Sequence, residues 1–410
     1  MRKVKLGEIA EIQAGPFGTQ LHKSEYVSSG VPMLNSKNIG YGEIIESSLD
    51  FVPTMVCKRL PQYILHEGDI LFGRAGTIER HAYVDHNYEG GFQGTNCIRV
   101  RCLEKDLALY IFYYLWLRAV KDKIENSAGG SIQSYITTNL LNDIDVQIPD
   151  DYEKKTYILQ QIDEKILLNQ KINDNLQRQL KTLYDYWFTQ FDFPDESGRP
   201  YRSSGGKMVY NPTLRREIPV GWESVNIREI TSITWGQCPD GENILPVLSK
   251  GDGVIDYCSG AGDMKGGFLV DCQAKTNDSR RNAHENDILV SVAGKIGDMC
   301  FVDHTISLGR AAMAYTVMNT DEIPYVYLTL KSLNKKMMMV SSGSIQKVIN
   351  NTNVDDFNFA YDKKVIQEFS VFSNPIFKEL VRIARENKKL TELRDWLLPL
   401  LMNGQATVAD

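Results

Sequence analysis

The 410-residue chain carries one ordered set of landmarks twice. "VKLGEIAEIQAGPFG" (4–18) returns as "VNIREITSITWGQCPDG" (225–241), and "EGDILFGRAGTIERHAYVDH" (67–86) as "ENDILVSVAGKIGDMCFVDH" (285–304). "GSIQSYITTNLLNDIDVQIP" (130–149) returns as "GSIQKVINNTNVDDFNFAYD" from Gly343, and "LKTLYDYWF" (180–188) as "LTELRDWLL" (390–398). The separations drift only from 221 (225 minus 4) through 218 (285 minus 67) and 213 (343 minus 130) to 210 (390 minus 180). Self-similarity at half the chain length restricts the fold to two copies of one architecture, differing by loop insertions.

Within each half, short β-branched and aromatic runs broken by Gly, Asn and Pro predict a strand-rich α+β domain. The opening landmark reads as an alternating strand entering a Gly/Pro turn. One amphipathic helix is expected near 106–126 and its counterpart near 323–340, with aromatic and Met stripes as core.

Each half then runs into a long helix. Ile158, Ile162, Ile166, Ile172, Leu176, Leu180, Leu183 and Trp187 recur every three or four residues. Ile376, Leu380, Ile383, Asn387, Leu390, Leu397 and Leu401 follow a heptad rhythm that Arg394 interrupts. Narrow seams at equivalent places predict helices that pair with each other. Spans of 152–191 and 365–402 correspond to roughly 55–60 Å each. The Pro-, Gly- and Ser-rich stretch 191–225 reads as an exposed crossover. The expected organisation is a first domain 1–150, helix 151–191, crossover 192–218, second domain 219–362, helix 363–403 and tail 404–410. The fold class is α+β: two strand-rich domains in pseudo-two-fold repeat, separated by two long paired, coiled-coil helices.

Composition narrows the function classes. "LALYIFYYLWL" (107–117) is too short to span a bilayer and the start "MRKVKLGEIAEI" lacks a signal-peptide core, so a cytoplasmic protein is expected. Seven cysteines without a Cys-x-x-Cys pair argue against disulfides or a zinc site. A net charge of −6 disfavours indiscriminate coating of nucleic acid and leaves room for local basic faces.

Catalytic motifs are missing. "FGRAG" (72–76) places Arg74 where an S-adenosylmethionine turn needs a close-approach glycine, and no Asn/Asp-Pro-Pro-aromatic loop occurs. Asp150, Glu153 and Lys155 in "PDDYEKK" read as a solvated helix start with acids in the first turn. "AGKIG" (293–297) is no P-loop, because Ile296 replaces the Ser/Thr.

Two variable strand-rich domains, each ending in a Gly-x-x-Gln segment that leads into a long helix, with "GDIL" inside the first and "IPVGWE" before the second, resemble the specificity subunit of Type I restriction-modification systems. The second half departs mildly, with "NDIL" at 286–289 and "NFAYD" where the first has "VQIPD". The resemblance implies a non-catalytic subunit with two target-recognition domains, each reading half of a bipartite, asymmetric double-stranded DNA site. It further implies that the helices set the spacing and dock two DNA-methyltransferase subunits, and that restriction/translocase subunits join them. S-adenosylmethionine, ATP and Mg are then used by partner subunits, and no metal or cofactor is expected on this chain. The alternatives are a methylation-only or Type II-like complex, a self-sufficient methyltransferase or nuclease, and a duplicated coiled-coil adaptor with no DNA role.

Base readout needs Arg, Lys, Asn and Gln on loops, with hydroxyls on phosphates. The first domain offers Thr19, Gln20, Lys23, Asn35, Lys37, Asn38, Arg74, Thr77, Arg80, Gln93, Thr95, Asn96, Ser131, Ser134 and Tyr135. The second offers Gln237, Ser249, Lys250, Lys265, Ser291, Lys295, Arg310 and Lys347. Gly130 with Gln133, and Gly343 with Gln346, read as structural turns, since a residue identical in both domains discriminates poorly between two sequences.

Overall fold

The structure, a computed structural model, describes residues 2–74, 78, 80–127, 135–264, 267–340, 349, 354 and 357–407. It forms two compact units, Met1–Lys165 with Leu390–Asp410, and Ile166–Lys389.

The first unit carries, in chain order, β1 (Arg2–Lys5), α1 (Leu6–Ile9), β2 (Ala10–Ala14), β3 (Val31–Leu34), β4 (Asp50–Val52) and α2 (Thr54–Arg59). Then follow β5 (Ile70–Gly73), β6 (His81–Tyr83), β7 (Phe92–Gln93), β8 (Cys97–Cys102), α3 (Ala108–Tyr114), α4 (Arg118–Ser127), α5 (Thr138–Asn142), β9 (Asp145–Ile148) and the start of α6 (Tyr152–Tyr184). Its main sheet is antiparallel in the order β2-β8-β5-β6, and a smaller sheet runs β4-β3-β7 with β3 and β7 parallel. β1 pairs with β9, so the two ends of the recognition module lie side by side.

Two expectations need correction here. The opening landmark is not one strand: α1 interrupts it, because Leu6 and Ile9 turn into the core and the Glu8 carboxylate accepts the Lys5 amide at 3.3 Å. The single helix expected over 106–126 is two. After α3 the amides of Trp116 and Leu117 bond three residues back, to Tyr113 and Tyr114, and the tightened turn stacks Trp116 on His81 with ring centroids 4.1 Å apart.

The second unit carries β10 (Met208–Asn211), β11 (Arg216–Pro219), β12 (Glu223–Asn226), α7 (Ile227–Ile230), β13 (Thr231–Trp235), β14 (Ile244–Pro246), β15 (Ile255–Cys258), β16 (Ala274–Thr276) and β17 (Asn282–Ala283). It continues through β18 (Ile288–Ser291), β19 (Met299–Phe301), β20 (Ile306–Leu308), β21 (Ala312–Val317), α8 (Ile323–Val340), β22 (Asn358–Tyr361) and most of α9 (Lys363–Met402). The main sheet, β13-β21-β18-β19, repeats the first unit's strand order. β15 pairs antiparallel with β16 and parallel with β20, as β3 does with β4 and β7. β12 pairs with β22, and the Asn226 amide bonds Glu229 at 2.7 Å, the counterpart of Lys5 and Glu8. β14 and β17 lengthen what are single antiparallel bridges in the first unit, Val27 to Phe51 and Ile64 to Phe92.

The stretch 191–225 is largely exposed, as its composition implies, but it is structured and anchored by a few buried apolar side chains. β10 and β11 form a hairpin, and Phe191, Phe193, Ile218 and Trp222 are buried. The Phe193 ring stacks on Trp222 with centroids 5.2 Å apart, and the Arg216 guanidinium sits 4.4 Å above Phe191. Four large apolar side chains outweigh the Gly and Pro between them.

The long helices have 33 residues in α6, continued by a π turn over Asp185–Thr189, and 40 in α9, about 50 and 60 Å. Within the second unit they run antiparallel: Asn387 bonds the Ile166 carbonyl at 3.1 Å, while Phe369 packs against Tyr184. The buried seam on α6 includes Asn169 and Asn173, whereas Ile172, expected in it, is exposed. Within the first unit the interrupting Arg394 bonds Asp163 at 3.0 Å, and the Tyr113 hydroxyl donates to the same carboxylate at 2.7 Å. Leu401 and Met402 close that unit's core. Among the described residues no helix is long and apolar enough to cross a membrane. All seven cysteines are free thiols, six of them buried.

Candidate nucleic-acid interface

In the first unit the loops following β2 and β5 and the one preceding β8 meet at one end of the main sheet. The Gly15 amide donates to the Cys97 carbonyl at 2.8 Å, and that of Arg74 to Asn96 at 2.9 Å. The Gly94 amide donates to Leu34 at 2.9 Å, which brings the loop after β3 to the same place. The Ile136 amide donates to the Arg74 carbonyl at 2.9 Å and ties the end of the Gly-Ser-Ile-Gln segment there. A side chain at Gly15 would put its Cβ 2.0 Å from the Gly94 carbonyl oxygen, so only glycine permits this approach.

The second unit builds the same end. Ile349 donates to Val292 at 2.9 Å, matching Ile136 and Arg74, and Gly236 donates to Ala312 at 3.1 Å. A Cβ at Gly236 would lie 2.1 Å from the Gly309 carbonyl oxygen. Gln237 donates its amide to Leu308 at 2.9 Å, which places it beside Arg310. Cys238 lies there half-buried. Burial raises its thiol pKa, but the Arg310 amide, the Tyr257 hydroxyl and the Arg310 charge outweigh burial and the net shift is downward.

Thr19, Lys23, Lys37, Asn96, Gln237, Lys250, Lys295 and Arg310 are exposed, Tyr135 is 45% exposed, and Arg74, Arg80, Thr95 and Ser249 are half-buried. Lys37 is paired with Asp50 at 2.9 Å and Lys295 with Asp298 at 2.8 Å. Several candidates are engaged in hydrogen bonds within the loops. Asn38 is fully buried, accepting the Asn35 amide at 3.1 Å and donating to the Ile45 carbonyl at 2.9 Å. Buried Gln93 donates to the Gln13 carbonyl at 2.9 Å. Buried Ser291 donates to Lys295 O and accepts the Asp298 amide, closing the turn after β18. Gln20 accepts from Phe17 N and Tyr63 Oη, both at 3.0 Å, and Asn35 donates to Asp50 at 2.9 Å. Short polar residues in tight turns satisfy backbone groups before they can reach a ligand. Thr77, Gly130, Ser131, Gln133, Ser134, Lys265, Gly343, Gln346 and Lys347 lie outside the described residues.

One feature escaped the sequence reading. Tyr41 is 56% exposed beneath the Arg80 guanidinium, 4.7 Å from its ring centroid, beside Trp116, which carries the Lys121 ammonium at 4.0 Å. Gly42 bonds the His81 carbonyl at 3.0 Å and holds Tyr41 near Arg80. The flanking glycines of "GYG" were the available signal.

Exposed donors, cations and stacking faces gathered on loops can grip a polyanion and read base edges. Among the described residues no cluster of three or more His, Cys, Asp or Glu side chains could hold a metal ion. A duplicated scaffold that offers loops for contact at one end of each sheet defines a recognition protein. Residues 1–178 and 219–367 match the family described as Type I restriction modification DNA specificity domain, and the chain belongs to that family, the non-catalytic DNA-recognition component of these systems. It is 20% identical over 99% of its length to the type I restriction enzyme MjaIX specificity subunit of Methanocaldococcus jannaschii, covering 93% of that protein. It is 22% identical over 90% of its length to the HindI specificity subunit of Haemophilus influenzae, again covering 93%. The crystal structure of a type I restriction-modification S subunit from M. genitalium superposes with a TM-score of 0.58 at 15% identity, over all of this chain and 96% of that one, and shares its fold.

Proposed function

We infer that this chain is the DNA-specificity subunit of a Type I restriction-modification complex, in which each unit reads one half of a bipartite, asymmetric site. The observation that carries this is the repeated loop end, tied in both units by the same backbone bond (Ile136 to Arg74, Ile349 to Val292) yet furnished differently. The first presents Thr19, Lys23, Arg80 and Asn96, and the second presents Gln237, Lys250 and Arg310. Equivalent frames with different donors suit two different half-sequences.

Two methyltransferase subunits and the restriction subunits are the proposed protein partners. Exposed Leu167, Leu168 and Phe372 in the second unit, and Leu393 and Trp396 in the first, give them apolar helix surface to cover. S-adenosylmethionine, ATP and Mg belong to those partners. The test is reconstitution: the purified chain transfers no methyl group to DNA, and adding the methyltransferase subunit yields methylation at one bipartite sequence. Methyl transfer by the chain alone would falsify this reading.

A further inference from the structure

We propose that the turn Pro246–Ser249 is an apolar DNA-contacting wedge, a specificity determinant that the second unit has and the first lacks. The inference rests on the DNA-reading function above and extends it to residues outside the polar candidates. Leu248 is 86% exposed and Val247 44%, at the tip of a turn closed by the Ser249 amide donating to the Pro246 carbonyl at 2.9 Å. The turn follows β14, whose counterpart in the first unit is the single antiparallel bridge of Val27 to Phe51; there only Ser28, Ser29 and Gly30 precede β3, so the apolar tip is what the second unit adds.

Register fixes where the tip points. Pro246 and Tyr257 pair with Ala274 from its two sides, Cys258 pairs with Leu308, and the Leu308 carbonyl accepts the Gln237 amide. The tip therefore leaves the same sheet end as Gln237 and Arg310. Three strand spacings, about 14 Å, separate Pro246 from Leu308, roughly four base-pair steps. Exposed Lys250, two residues past Leu248, and exposed Arg310, across the same sheet end, have no ion pair among the described residues; Asp252 leaves the loop itself without net charge, so it is continuity with the end that carries Gln237 and Arg310 that directs the tip to DNA. An exposed apolar side chain at such an end packs on thymine methyl groups or wedges between base steps.

The test uses the full-length chain assembled with its methyltransferase partner. The probe is a duplex carrying the motif mapped from the wild-type methylome. Val247→Ser/Leu248→Ser should weaken binding about 5- to 30-fold and relax the motif at one or two positions of one half, leaving the slope of log affinity against log salt unchanged. Lys250→Ala should instead lower that slope by about 0.9 and keep the motif. Both changes lie in solvent, so the thermal transition should not move. Binding by the double variant within twofold of wild type, with an unchanged motif, overturns the proposal. Lost co-elution with the methyltransferase at an unchanged motif also overturns it, and assigns the turn to a protein partner. A wild-type complex with no motif removes the DNA reading itself.

Discussion

Asn169 on α6 donates from Nδ2 to the Oδ1 of Asn387 on α9 over 2.8 Å, and Asn387 in turn donates to the Ile166 carbonyl at 3.1 Å. In a seam of Leu and Ile, such a pair stabilises one register, because any other buries the amides without partners. Asn387→Leu should destabilise the second unit by about 1–3 kcal/mol, since it strands the Asn169 amide. Replacing both by Leu should restore or exceed wild-type stability. Urea denaturation of the two variants checks the asymmetry, and equal losses would contradict it.

Two histidines should give opposite pH dependences. His304 lies between Asp256 at 2.8 Å and Asp303 at 2.7 Å, and the bonds to Asp256 first and Asp303 second raise its pKa to about 9. Its protonated form stabilises the second unit fully below the unfolded-state value near 6.5, and the contribution is lost as pH rises through about 9. His81 is fully buried against Phe72, Phe112 and Trp116, and burial lowers its pKa to about 3. The unfolded chain takes up that proton first, so the first unit loses stability as pH falls from about 6.5 towards 3. Thermal melts across pH should show His304→Asn flattening the alkaline slope and His81→Gln flattening the acid one.

The equivalent close approaches at Gly15 and Gly236 predict equivalent costs. Gly15→Ala or Gly236→Ala drives a methyl into a backbone carbonyl, and each should destabilise its own unit by about 1–3 kcal/mol. Hydrogen exchange should localise each loss to the strands and loops around the substituted end. Protection lost throughout both units would argue against two separate folding units.

Asn38 and Arg310 separate scaffold from contact. Asn38→Ala removes a buried amide that satisfies three backbone groups and should cost about 1–3 kcal/mol of stability. Arg310→Ala should leave the melt unchanged and reduce binding of the assembled complex to its duplex. Calorimetry paired with a binding titration checks both.

The duplication, the strand-rich α+β class and the long helices were legible because landmark order survives loop insertions and because heptad seams are periodic. The seam's own polar positions were not. Counting by threes and fours from Leu159, Ile162 and Ile166 lands on Asn169 and Asn173, while the more hydrophobic Ile172 beside them faces solvent. The hairpin of β10 and β11 hid behind its Gly and Ser, although Phe191, Phe193 and Trp222 marked a core. Polar loop residues were the least legible part of the site. Asn38, Gln93 and Ser291 look like groove readers in sequence, and only their backbone partners show that the loops consume them.

The exchange of one unit tests the account most directly. Asn226 pairs with Asn358 across β12 and β22 and bonds it at 3.0 Å, so 227–357 enters and leaves the second unit at adjacent points. Replacing 227–357 with the corresponding segment of a family member, in the complex with the methyltransferase, should change one half of the methylated motif and preserve the other, as read by methylome sequencing. A motif altered in both halves, or in neither, would contradict independent reading by the two units.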